Sequence, residues 1–288
     1  MNPNIRTLLG PGVRFVWDLA IILSGGGMRC AYAIGVLMAL IEVHGIMPGI
    51  ISGLSGSLAP IIYFLLGRFK EMRDWPNQIK DKKFINFWRL LRVRIPIDVP
   101  YAVDRWMADA PELAEAIATS RTKLILPATV LPEKSGDPET RCWFRNEDFR
   151  NHARELMIAL QSTSQSVRVG KRNCADACFT TSLTDLMAEV LREGANQVVV
   201  VDNSVSPVSR WTAPIMRVLA RGEGPMGKLA WKFRHEEPII PKSSTVHVLR
   251  RRQDLPVEHM MDNEPEHYWQ SIMMGYRDCA ELDLSHLK

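Results

Sequence analysis

The chain is short of cysteine, of net charge and of long unbroken apolar runs, and each shortage removes a class of protein. Five cysteines (Cys30, Cys142, Cys174, Cys178, Cys279) form an odd set without a Cys-x-x-Cys pair, so neither a zinc site nor a disulfide framework is signalled. A reducing, cytoplasmic setting is expected from that usage. A net charge of +4 is too weak to point to nucleic acid. The opening MNPNIRTLLGPG lacks the apolar core and cleavage site of a signal peptide. Residues 46–66 are the most apolar stretch, but glycines, prolines and serines divide them into strand, turn and helix rather than a membrane span. Repeats and low-complexity tracts are missing, and no composition shift marks a boundary. We therefore expect residues 1–288 to form a single domain, long enough to bury a sizeable core. The sequence implies no metal and no cofactor, and the oligomeric state is not legible in it.

What is present is organised around residues 19–66. Leu19–Leu23 is a short apolar run suited to a strand buried on both faces. Gly25-Gly26-Gly27 follows, then Arg29 and a helical pattern through Ala33, Val36, Leu37, Leu40 and Ile41. Gly45 and Pro48 are expected to break that helix, and Ile50-Ile51 to open a second strand. That strand runs into Gly53-Leu54-Ser55-Gly56-Ser57 and a second helix. The first glycine turn offers free backbone N–H groups at a helix N-terminus, suited to an oxyanion. The second is a nucleophile elbow, whose sharp turn exposes the Ser55 hydroxyl at the edge of a sheet.

These motifs resemble those of the patatin-like phospholipases, acyl hydrolases with a Ser–Asp dyad. The family's G-G-G-x-R/K-G is matched by Gly25-Gly26-Gly27-Met28-Arg29-Cys30, its G-x-S-x-G by Gly53-Leu54-Ser55-Gly56-Ser57, and its D-G-G/A by Asp176-Ala177-Cys178. Order and spacing agree over residues 18–202. Small residues replace family glycines at Cys30, Ser57, Ala177 and Cys178. The resemblance implies a three-layer α/β fold, with a mostly parallel central sheet and helices on both faces. It assigns Ser55 as nucleophile and Asp176 as general base, with an oxyanion hole at Gly25, Gly26, Gly27 and Arg29. The elbow is Gly53, Leu54, Gly56 and Ser57 about the serine. The implied substrates are acyl esters of phospholipids, lysophospholipids or related lipids. The alternative is a lipid-binding or scaffolding protein whose replaced glycines have impaired catalysis.

Elsewhere, residues 68–94 interleave basic residues such as Lys80, Lys82 and Lys83 with Trp75, Phe87 and Trp88. A packed helix with a solvated basic face is the favoured reading; peripheral contact with an anionic membrane is the other. Residues 102–118 are expected to form a helix, 123–130 and 141–144 a hairpin, and 146–160 a helix capped by Asn146. Residues 184–193 read as a helix, 197–201 and 245–249 as strands, and 264–282 as a closing helix. Asp202 competes with Asp176 for the catalytic role, and a Ser–Asp–His triad with Asp202 and His235 or His259 remains open. A dinucleotide site is disfavoured: Gly25-x-Gly27-x-x-Cys30 lacks the third glycine, and no acidic residue closes the second strand.

Overall fold

The computed structural model describes residues 12–78, 84, 97–133, 139–162, 165–203, 245–250 and 264–285. Most of the basic–aromatic stretch 68–94, together with His235 and His259, lies outside these. The strands are β1 (Arg14–Leu23), β2 (Ile46–Gly53), β3 (Lys123–Val130), β4 (Thr140–Phe144), β5 (Val167–Val169), β6 (Arg172–Asp176), β7 (Gln197–Asp202) and β8 (Thr245–Arg250). The helices are α1 (Ala31–Glu42), α2 (Leu58–Leu65), α3 (Phe69–Gln78), α4 (Val99–Asp109), α5 (Leu113–Ala118), α6 (Asp148–Ala159), α7 (Leu183–Arg192) and α8 (Pro265–Ala280).

Among the described residues all eight strands join one sheet in the order β5-β6-β3-β2-β1-β7-β8, with β4 also paired to β3. The pairs β3–β2, β2–β1, β1–β7 and β7–β8 are parallel, whereas β4, β5 and β6 add antiparallel pairings at one side. Leu19–Leu23 is wholly buried because β1 is central and covered on both faces. On one face Ala20, Ile22, Val198 and Val200 meet Leu186, Met187 and Val190 of α7. On the other, Leu19, Ile21, Leu23 and Val199 pack in a larger core with α1, α2 and α8. Helix, sheet and helix make the three layers, so the α/β expectation holds.

Three local expectations change. Pro48 lies inside β2, not in the break after α1, opposite Val16. The β1–β2 register shifts between Val16 and Ala20, and a strand tolerates proline's missing N–H beside such an irregularity. Asn146 is not a helix cap: α6 starts at Asp148, and Glu147 holds the N-cap position without a side-chain capping bond. The buried Asn146 amide instead accepts from the Leu124 N–H at 2.7 Å and donates to the carbonyls of Ile117 (2.9 Å) and Thr122 (3.1 Å). It thereby satisfies three backbone groups where α5 turns into β3. Finally, residues 102–118 form two helices, α4 and α5, parted at Ala110-Pro111.

Helices α1 and α8 cross at Gly35 and Gly275, where backbone meets backbone. A Cβ on Gly35 would run into the Ile272 carbonyl oxygen, and one on Gly275 into that of Tyr32. The Tyr32 hydroxyl donates to Asp278 Oδ2 at 2.8 Å across the same crossing. No helix among the described residues is long and apolar enough to cross a membrane. Residues 46–66 divide into β2, a turn and α2.

Candidate active site

Two adjacent parallel strands end side by side, and each delivers a turn to the same place. After β1, Ser24 and three glycines lead into a single 3-10 turn, Gly27–Cys30, and then α1. After β2, Leu54 leads into Ser55–Ser57 and α2. The Leu54 N–H donates to the Leu23 carbonyl at 3.1 Å, which extends the ladder one residue beyond the strands. Gly26 (φ 154°) and Gly27 (φ 57°) hold backbone conformations that a side chain would oppose. Ser55 has φ 52°, and among the described residues it is the one non-glycine residue with positive φ. Strain of this kind persists only where the surroundings impose it, and here it lifts the serine off the end of the sheet.

The turns touch. A Cβ on Gly25 would lie 3.3 Å from Ser55 Cβ, and one on Gly56 would lie 2.6 Å from the Gly27 carbonyl oxygen. Ser57, where the family motif has glycine, points its hydroxyl into the space over Gly53 and donates to the Leu54 carbonyl at 2.8 Å. The side chain is absorbed without opening the turn. Cys30 is likewise buried, its thiol 3.8 Å from the Ser24 carbonyl oxygen. Arg29 follows on the same turn; burial lowers its pKa, but the guanidinium stays a cation.

Asp176 ends β6, a strand antiparallel to β3 with Ala128 opposite the aspartate. Its backbone is held on both sides: the N–H donates to the Ser162 carbonyl at 3.1 Å, and the carbonyl accepts from Thr129 Oγ1 at 2.9 Å. The carboxyl is fully buried, and Oδ1 accepts from the Cys178 N–H at 2.9 Å. Among the described residues Oδ2 has no hydrogen bond of full geometry. The Ser55 hydroxyl nevertheless lies close enough to stabilise the ionised form. Burial is the larger influence and pushes the carboxyl up to about 6, against the pull of Ser55 and Cys178.

That rise has a measurable consequence for stability. The native state holds this proton more tightly than the unfolded chain, where an aspartate titrates near 3.9. The resulting stabilisation is complete below about pH 4 and is lost as pH climbs through about 6. We expect Asp176 alone to remove about 3 kcal/mol over that window. Urea unfolding from pH 4 to pH 8 should show the decline in wild type and its absence in Asp176→Asn. Parallel curves for the two proteins would exclude a raised carboxyl.

Ser55, Asp176, the glycine turn and the elbow residues are thus brought together. Asp202 is not part of the cluster; it faces Arg250 across β7–β8, with Arg250 Nε 3.7 Å from Oδ2. No described histidine is a partner of Asp176. Among the described residues no group of three His, Cys, Asp or Glu is placed to hold a metal ion. Sequence reasoning missed Thr129, Ser162 and Asn203. Ser162 lies between α6 and β5 and Asn203 just beyond β7, neither with a motif around it.

A family model described as patatin-like phospholipase matches residues 21–200, well over half of the chain. The matched span includes both glycine turns, Ser55 and Asp176. No curated protein matches the chain.

Proposed function

Since the chain belongs to the patatin-like phospholipase family, a family of lipid acyl hydrolases, we propose that it cleaves fatty acyl esters of phospholipids, lysophospholipids or related lipids through Ser55 and Asp176. The observation that carries this reading is the strained Ser55, set between a buried carboxylate and a glycine turn too close to it to hold a side chain comfortably.

In this reading Asp176 accepts the Ser55 proton while Oγ attacks the acyl carbonyl. The carbonyl oxygen gains charge against the backbone N–H groups of Gly26 and Gly27, within the positive field of Arg29. Asp176 then returns the proton to the leaving alcohol. The acyl-enzyme is opened by water, activated by the same carboxylate. A base with a pKa near 6 is ionised at neutral pH yet far stronger than an ordinary aspartate, so burial suits it to the task. Turnover should accordingly rise with pH through about 6 and then level off.

The hospitable placing of Ser57 and Cys30 favours an active site over a vestigial one, because neither side chain displaces the turn it replaces glycine in. The test is covalent. A fluorophosphonate probe should label the protein at one site, mapped by mass spectrometry to Ser55, and abolish hydrolysis of an octanoyl ester in proportion. Unlabelled, folded protein that leaves the ester intact would return the chain to the lipid-binding alternative.

A further inference from the structure

Three consecutive glycines have little rigidity of their own, so the aim of their N–H groups must be imposed by what surrounds them. Asn203, the residue after β7, is fully buried beneath this turn. Its backbone N–H donates to Ser24 Oγ at 2.6 Å, and its side-chain Nδ2 donates to the Ser24 carbonyl at 2.8 Å. The same Nδ2 lies 3.8 Å from Cys30 Sγ. Ser24 in turn donates its N–H to the Val201 carbonyl at 2.9 Å. The residue that precedes the triple glycine is therefore gripped at its N–H, its carbonyl and its side chain by the end of β7. A Cβ on Gly26 would lie 3.6 Å from both Asn203 Cβ and the Asn203 carbonyl oxygen, so Asn203 also forms the floor under the turn.

We propose that Asn203 is a positioning residue that sets the Gly25–Gly27 turn against Ser55 by clamping Ser24 and Cys30 to β7. The proposal rests on the acyl-hydrolase reading of the site. Among the described residues Asn203 Oδ1 is buried with no hydrogen-bond partner, which is costly for a residue with only a packing role. An apolar side chain of similar size fills such a position at lower cost. What leucine cannot supply is the Nδ2 donor. The amide nitrogen holds the Ser24 carbonyl and meets the thiol of Cys30, the residue that stands where the family motif has glycine.

The discriminating variant is Asn203→Leu, nearly isosteric and free of the orphaned oxygen, with Asn203→Ala beside it. On an octanoyl ester we expect kcat to fall about 10- to 100-fold in both, with KM within about twofold, on the scale of a misplaced oxyanion donor. A trifluoromethyl ketone, whose Ser55 adduct puts an oxyanion into the turn, should lose affinity in the same proportion. The melting temperature of Asn203→Leu should change little, because the orphaned Asn203 oxygen disappears as the Ser24 carbonyl loses its donor. Independently of any activity, hydrogen exchange of a peptide covering residues 24–30 should quicken in Asn203→Leu and stay unchanged elsewhere. Unaltered exchange there overturns the clamp, whatever the activity. Quickened exchange with wild-type kcat overturns its catalytic consequence. A wild-type protein that binds neither fluorophosphonate nor ketone refutes the hydrolase reading instead, and the exchange result still decides the clamp.

Discussion

Asp176→Asn is expected to lower kcat on an octanoyl ester about a thousandfold or more, on the scale of deletions within catalytic triads. Asparagine keeps the size of the side chain and the acceptor for the Cys178 N–H, but it cannot take a proton from Ser55. Ser55→Ala should be at least as damaging. Because a nucleophile without its base is useless, Ser55→Ala/Asp176→Asn should be little worse than either alone. Replacing His247 by Gln, or His235 or His259, should change the rate less than about tenfold. Circular dichroism controls for folding, and at pH 8 the Asp176→Asn protein should be the more stable of the pair, since it no longer buries a charge. A variant that is sturdier yet inert is hard to explain by lost packing. Near-normal turnover in Asp176→Asn, or its abolition by one histidine change, would refute the dyad.

Gly56→Ala should be the next most harmful change, although it touches no reacting group. The new methyl would sit 2.6 Å from the Gly27 carbonyl oxygen and 2.8 Å from Gly27 Cα, and real carbon atoms do not approach so closely. Backbone is on both sides, so relief requires the glycine turn and the elbow to part by about an ångström. Misplacement on that scale costs about a hundredfold in rate. We expect kcat to fall by that factor with KM little changed, measured on the same ester. The core beneath is untouched, so the loss in melting temperature should be small. Activity within about threefold of wild type would mean that the two turns are not the matched pair their contact implies.

Much of this site was legible in the sequence because its parts are local. A strand, a glycine turn and a helix leave a period and a motif within thirty residues, and so do Gly53–Ser57. Asp176 was legible as part of a motif followed by a helix and the valine-rich β7. What Cys30 and Ser57 do was not legible, because the outcome depends on what faces them. Ser57 fits because Gly53 has no Cβ to obstruct it, and Cys30 because Ser24 and Asn203 receive its sulfur. Asn203 left no local mark at all. Its importance comes from β7 lying beside β1, a pairing between segments far apart in the chain. Asn146 misled for the opposite reason: an asparagine before a helix suits a cap, but the buried carbonyls of α5 and the β3 edge outbid the helix end.

The bare crossing of α1 and α8 sets when, during synthesis, the centre comes into being. Tyr32 and its partner Asp278 are separated by 246 positions, and contacts that distant in sequence are slow to close. On the ribosome, α1 is made early and then waits, its glycine face uncovered, until residues 265–280 emerge. The helix that waits is the one entered through the 3-10 turn that carries Gly27 and Arg29. A nascent chain of this protein therefore displays apolar surface from the synthesis of α1 until that of α8 and is a natural client for a chaperone.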